Sequence, residues 1–388
     1  MRVLISGLWA AEQPSGICRT VVNLVRGLNE ASPSMEVSLA IGRWQRRYFD
    51  ETLGLNALNA SIIEIDVQNR SVMRNRWYAF GLPHLAHSVS ADVVHLSFPA
   101  PVLRSRFRCP VVTTLHDLYP HDRPDNFGYP HVLGNRLFLK QALRASDRVV
   151  CVSQFTWSRL KQIFPRFADG RAVCIRNAIY LSSSLESGEA QIPRPYLLAV
   201  AQHRANKNLD LLLHAFDQYS KNGGASDCLV IVGSNGPETE RLHALVDRLQ
   251  LRDRIVFLVN QTDAQMKALY LGCRVFITLA DIEGFGLPLG EALLCGARAV
   301  ASDIPTHREV AGDHCEYVSI GPQAVPAILR ALDVAAQRER PLPAAVAELS
   351  PGAVGARYSA VYHDLLHQAT ADQNSFRELP VASASELQ

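Results

Sequence analysis

No run of apolar residues in the 388-residue chain approaches the roughly 20 needed to cross a bilayer. The amino terminus lacks the layout of a secretory leader and enters a strand pattern at once, so the expectation is a cytoplasmic protein. Cysteine is present but never as C-x-x-C: Cys18, Cys109, Cys151, Cys174, Cys228, Cys273, Cys295 and Cys315 are scattered, mostly in apolar surroundings. That pattern favours buried reduced thiols and argues against disulfides or zinc. There is no G-x-G-x-x-G fingerprint and no nucleic-acid-binding motif. Net charge is only +2, yet residues 1–180 hold 22 Lys+Arg against 13 Asp+Glu, and the remainder 17 against 24. A basic first half and an acidic second half imply different partners for each.

The chain is long enough for two domains of ordinary size, each with its own core. Short apolar, β-branched runs recur at Arg2–Ser6, Asp92–Leu96, Val111–Leu115, Asp147–Ser153, Ala172–Asn177, Tyr196–Val200, Cys228–Val232, Arg254–Leu258 and Arg274–Leu279. Amphipathic helical patterns lie between them, as at Ile17–Leu28 and Asp263–Leu271. This alternation predicts an α/β protein of two Rossmann-like domains facing across a cleft. The divisions expected are 1–180, a Ser/Gly/Pro-rich linker at 181–195, a second domain at 196–350, a helix at 351–368, and a polar, disordered tail at 369–388.

The chemistry concentrates in Ala280–Asp303, A-D-I-E-G-F-G-L-P-L-G-E-A-L-L-C-G-A-R-A-V-A-S-D. A strand runs into a loop with Gly284 and Gly286, then into a helix opened by Pro288 and ended by Gly296. Such a loop presents amides to an anion. Glu283 at the strand end and Glu291, expected in the first helical turn, bracket it. Carboxylates beside an anion site suit a ligand that also carries hydroxyls, as a sugar nucleotide does. The plainer alternative is one solvated carboxylate and one that favours a helix dipole. Arg204 and Lys207, between the Tyr196–Val200 strand and the next helix, could neutralise a diphosphate or could simply be solvated. His116 follows a strand at the edge where open α/β sheets bind ligands, although a lone His is more often structural. Asp117 could orient it or cap the segment after it.

E-G-F-G-L-P-L-G-E-A-L followed by G-x-x-x-V-A-S-D-I-P resembles the E-x7-E signature of the family 4 retaining glycosyltransferases. V-V-T-T-L-H-D is similar to that family's strand-His-Asp segment, and K-N-L-x-L-L-L-x-A-F to its second phosphate-binding element. Gly290 stands where the family usually has a larger apolar residue, Ala178 where it has Gly, and Arg298 where it has Pro. The resemblance spans about residues 1–367. It implies a GT-B fold, with a nucleoside diphosphate sugar bound mainly by the second domain and the acceptor by the first.

Carried over by position, Glu283 and His116 contact the donor sugar and Glu291 holds ribose. Lys207, Arg204 and the backbone of Phe285, Gly286 and Leu287, beside Gly284, meet sugar and diphosphate. Gly16 lies in the loop under the donor phosphate. The expectation is retaining hexosyl transfer to a hydroxyl of a glycan or lipid-linked glycan, with mannose from GDP-mannose the leading donor by overall resemblance. No cofactor or metal is expected, despite the D-x-E look of Asp281–Glu283. A nucleotide-sugar epimerase of related fold and a non-catalytic nucleotide-sugar binder remain the alternatives.

Three basic clusters are also notable: Arg43, Arg46 and Arg47 with Trp44, Tyr48 and Phe49; Arg70, Arg74 and Arg76 with Met73, Trp77 and Tyr78; and Arg104, Arg106 and Arg108. With exposed aromatics they would suit an anionic membrane surface, here its inner face. With core aromatics they are solvated faces.

Overall fold

The structure is a computed structural model and describes residues 1–12, 15–124, 131–182, 192, 195–222 and 226–377. Most of the expected linker and residues 378–388 lie outside the described residues. Two sheets form, and every strand pairing is parallel. The first has the order β3-β2-β1-β4-β5-β6-β7, from β1 (Arg2–Ser6), β2 (Glu36–Gly42), β3 (Ser61–Ile65), β4 (Val93–Leu96), β5 (Val111–Leu115), β6 (Arg148–Cys151) and β7 (Ala172–Cys174). The second has the order β10-β9-β8-β11-β12-β13, from β8 (Tyr196–Val200), β9 (Cys228–Val232), β10 (Ile255–Leu258), β11 (Val275–Thr278), β12 (Ala299–Ser302) and β13 (Glu316–Val318).

The central strands are continuous apolar runs because helices cover both faces. All five residues of β5 and all five of β9 are buried. α1 (Gly16–Ala31) starts where the Ser15 side chain accepts from the Cys18 N–H, and it buries Cys18, Val21, Val22, Leu24, Val25 and Leu28 against the first sheet. In each sheet the chain order reverses beside the first strand, between β1 and β4 and between β8 and β11. Crevices at strand ends open at such switch points. Both therefore supply loops to one cleft.

The last helix, Pro351–Arg377, returns to the first domain. Its Val354, Tyr358, Tyr362 and Leu365 join the core formed by Val3, Ile5, Val25 and Leu28. It crosses α1 at Gly27 and Gly355, where a Cβ on Gly27 would lie 2.2 Å from the Pro351 carbonyl oxygen and one on Gly355 2.1 Å from that of Gly27. Backbones meet there directly. The helix continues to Arg377, not ending at 368, because A-T-A-D-Q-N-S-F-R contains no Gly or Pro to stop it. The tail expected to be disordered from 369 is thus helical over its first nine residues, 369–377.

Candidate donor site in the interdomain cleft

α2 (Leu287–Leu294) begins directly after the loop from β11, with Pro288 in its first turn and Gly286 at φ +96° as its cap. Only glycine adopts that backbone at no steric cost. Among the described residues the N–H groups of Phe285, Gly286 and Leu287 find no acceptor. They form an anion-ready end of the helix, and a Cβ on Gly16 at the start of α1 would lie 3.8 Å from the Leu287 side chain. Two helix N-termini converge on one point.

Gly284 has a different reason for being glycine than ligand approach. A Cβ there would lie 2.0 Å from the carbonyl oxygen of His116, so this position lets the second domain's loop touch the end of β5. Thr156 seals the contact with its hydroxyl, 3.2 Å from the His116 carbonyl oxygen and 3.4 Å from that of Gly284. The missing side chain of Gly290 is replaced by Ile179, whose Cδ1 would stand 2.0 Å from a Cβ there. The departure at Gly290 is therefore matched by a neighbour.

Glu283 and Lys207 meet, with Nζ 2.8 Å from Oε1. Burial pushes the Glu283 carboxyl up, but the Lys207 ammonium and the His307 imidazole outweigh it and hold it below the usual range. Lys207 ends a short turn, Ala205–Lys207, followed by Asn208 at φ +51°, whose amide donates to the Leu279 carbonyl at 2.8 Å. Arg204 at the start of that turn is exposed, with no ion-pair partner among the described residues. It is near enough to the cleft to lower Asp117 and Tyr119 electrostatically.

His116 sits at the end of β5 with Nε2 2.8 Å from the Ser97 carbonyl. A carbonyl only accepts, so Nε2 carries the proton and Nδ1 is an acceptor. Burial pushes the imidazole down to about 4, leaving it neutral near pH 7. It can accept from a sugar hydroxyl but cannot supply positive charge. Asp117 does not orient it; its carboxylate accepts from the Tyr119 N–H at 3.0 Å.

Glu291 differs from its expected setting. Because α2 starts at Leu287, Glu291 falls in the second turn and faces inward, only 4% exposed. Its Oε2 accepts from the Tyr270 hydroxyl at 3.0 Å, and Arg19 Nε lies 3.3 Å from Oε1. Arg19 belongs to α1 of the first domain and also holds Asp263 at 2.7 Å. Burial pushes the Glu291 carboxyl up, partly offset by Arg19. Arg19, Asp263, Tyr270 and His307 are the site residues that sequence reasoning missed. Arg19 is off the apolar stripe of α1, three residues past Gly16, which is the one signal it gives.

Further contacts close the cleft. Arg123 pairs with Asp281, Tyr119 donates to the Ile282 carbonyl at 3.2 Å, and the Glu309 carboxylate accepts from the Gln154 N–H at 3.0 and 2.9 Å. Asp281 thereby carries a cation as its neighbour. Among the described residues no cluster of His, Cys, Asp and Glu has the form of a metal site.

The sequence profile described as Glycosyltransferase Family 4 matches residues 14–183, and that described as Glycosyl transferases group 1 matches 186–345. The chain belongs to the family 4 glycosyltransferases. It is 27% identical over 219 residues to the O-antigen chain mannosyltransferase RfbU of Salmonella typhimurium, covering 56% of this chain and 58% of that protein. It is 28% identical over 211 residues to O-antigen chain mannosyltransferase B of Escherichia coli, covering 52% and 55%. The chain thus spans little more than half the length of these curated relatives. In fold it is similar to Anabaena Alr3699/HepE in complex with UDP and glucose, at TM-score 0.63 and 16% identity over 97% of this chain and all of that one. The fold is the GT-B arrangement of two Rossmann-like domains.

The three basic clusters do not form one surface. Arg43 pairs with Asp66, Arg46 with Asp50 and Glu64, and Arg47 with Glu51, while Tyr48 and Phe49 are buried. Arg74 is bonded to Asn69, and Tyr78 is buried with its hydroxyl on the Leu8 carbonyl. Tyr48, Phe49 and Tyr78 are thus core, and Trp44 and Trp77 pack partly buried against it. Arg106 and Arg108 instead line a cavity of about 580 Å³ with Arg2, His84 and His87, at the strand-start end of the sheet, away from the cleft.

Proposed function

We propose that this protein is a retaining glycosyltransferase that transfers a hexose from a nucleoside diphosphate sugar to a hydroxyl of a glycan or lipid-linked glycan in polysaccharide biosynthesis. Mannose from GDP-mannose is the leading donor, supported by the mannosyltransferases among its relatives. The observation that carries the reading is the meeting of Glu283, Lys207 and the unpaired amides of 285–287 at one switch-point crevice. In such a crevice Lys207, Arg204 and the converging helix ends stabilise the charge that develops on a departing diphosphate, as oxyanion donors do. Glu283 and neutral His116 accept from sugar hydroxyls and fix the ring. Glu291 receives ribose once Arg19 yields it. Positive charge comes from the chain, so no metal is required.

An exposed stripe beside the cleft, Leu133, Leu137 and Phe138 with Lys140 and Arg144 on the helix His131–Ala145, supports an anionic membrane surface as the place where a lipid-linked acceptor is met. Among the described residues no helix is long and apolar enough to cross a membrane.

Thermal unfolding with UDP, GDP and ADP, on wild type and Glu291→Ala, tests the donor site. A nucleotide held at 100 times its Kd adds about 2.7 kcal/mol. Stabilisation by one nucleotide, lost in the variant, identifies the base; no stabilisation by any of them removes the reading. Products formed with and without acceptor then separate transfer from epimerisation.

A further inference from the structure

His307 is fully buried, and its Nε2 has no hydrogen-bond partner. It projects from the helix Pro305–Ala311, and its Nδ1 is 3.0 Å from the Ser302 carbonyl oxygen and 3.1 Å from the Ser302 hydroxyl oxygen. The carbonyl can only accept, so the proton is on Nδ1 and Nε2 holds a bare lone pair. That lone pair faces Oε1 of Glu283 at 4.0 Å, beneath Gly286, where a Cβ would come within 3.2 Å of the ring. Two acceptors thus oppose each other in a closed space, and an unpartnered buried polar atom is costly. The same Oε1 is held by Lys207 at 2.8 Å.

Lys207 therefore has two claims on it. In the free protein its ammonium neutralises Glu283; on the donor-site reading, it turns to the diphosphate when donor binds. Glu283 would then be a buried carboxylate without its cation. We propose that His307 is a positioning residue which takes a proton from solvent onto Nε2 as donor binds, and replaces Lys207 as the partner that fixes Glu283 against the sugar. The inference rests on the donor-site reading.

The groups facing the imidazole are Glu283 from the donor loop, Lys207 from the loop after β8 and Ser302 of β12; the Tyr317 hydroxyl of β13 meets backbone carbonyls, that of Gly312 at 2.6 Å and that of His307 at 3.4 Å. Burial keeps His307 below the usual imidazole range, Glu283 and the Ser302 bond push it up, and Lys207 pushes it down. Moving Lys207 away, and bringing in an anion, both favour protonation. A shift of about 1 Å brings Nε2 from 4.0 Å to hydrogen-bond range of Glu283.

Calorimetric titration with GDP, UDP and ADP, in two buffers of different ionisation enthalpy, counts protons taken up on binding. Wild type takes up more than His307→Gln, the difference approaching about one proton per site. His307→Gln keeps a permanent amide donor towards Glu283, so it binds within a few fold of wild type. His307→Asn retains a polar group at the Ser302 bond but cannot reach Glu283, and it binds roughly 10- to 100-fold more weakly. Equal proton uptake in wild type and His307→Gln overturns the proposal.

The wild-type imidazole gives the same answer without a variant. Its ¹⁵N signals change from the neutral Nδ1–H pattern to imidazolium when nucleotide saturates, and persistence of the neutral pattern also overturns the proposal. If none of the three nucleotides binds wild type, the donor-site reading itself falls, a distinct result.

Discussion

Replacing Arg19 by Met tests whether the two domains are held together by a buried charge cluster. The guanidinium is 14% exposed, and the carboxylates it joins, Asp263 and Glu291, are 9% and 6% exposed in their side chains. Without it two carboxylates remain in a nearly dry space. Removing one partner of a buried pair costs about 3–5 kcal/mol. Tyr270 still donates to Glu291, the Ser182 N–H still reaches Asp263 at 3.3 Å, and the Met stem refills most of the volume. The low end, about 3 kcal/mol, is therefore expected.

The pH dependence gives the sign. A carboxyl left without its cation has a folded pKa above the unfolded one, so the deficit appears above the unfolded value and shrinks as pH falls through the folded one. Burial already pushes Glu291 that way in the wild type. Urea unfolding at pH 8 and pH 5 should show a deficit smaller at pH 5, by about 1.4 kcal/mol for each pH unit over which one carboxyl stays protonated in the fold alone. Glu291→Gln in the Arg19→Met background should recover part of the loss. A deficit under about 1 kcal/mol, the same at both pH values, would refute the reasoning, since that is the behaviour of a solvated surface pair.

Gly284→Ala would force the donor loop at least about 1 Å from the His116 carbonyl to reach a normal C···O contact, and such a misplacement costs about 100-fold in turnover. Nucleotide binding, measured in parallel, should change by only a few fold; unchanged turnover would show that the cleft does not close here. Transfer activity should survive EDTA, because the cations at the site are Lys207 and Arg204, and abolition would require a metal. Vesicles of anionic lipid should sediment the protein at low salt, and Leu137→Glu with Phe138→Glu should release it. Wild type left in the supernatant removes the membrane surface from the proposal.

How much the sequence reveals depends on where each partner lies along the chain. β1, β5, β8 and β9 are legible as dense apolar or β-branched runs, with Gly7 after β1, Pro110 before β5, Pro195 before β8, and Asp227 and Gly233 on either side of β9. β2 and β3 include Glu36, Ser38, Ser61 and Glu64, and their alternation is diluted by polar residues, so they are harder to read. The spacing of Glu283 and Glu291 puts both near one loop. It does not reveal that Glu291 points inward to Arg19, which the fold brings from the opposite end of the chain. His307 is silent for the same reason: Ser302 is near it in sequence, but Gly286 and Glu283 belong to the loop after β11, which only the fold brings against it. Similarly, an Arg beside a Tyr in sequence says nothing about whether the aromatic ring faces solvent, and at Tyr48 and Tyr78 it does not.

The glycine crossing of the first and last long helices has a consequence for biogenesis. Val354, Tyr358, Tyr362 and Leu365 complete the interior of the amino-terminal unit, although they are made after the whole second unit. During translation the first sheet therefore emerges without part of its inner lining, and it must wait, with Val25 and Leu28 uncovered on that side, until the helix Pro351–Arg377 has been made. The second unit can close while still tethered; the first cannot. Loss of the closing helix, by a nonsense mutation or a protease, would be felt at the amino terminus.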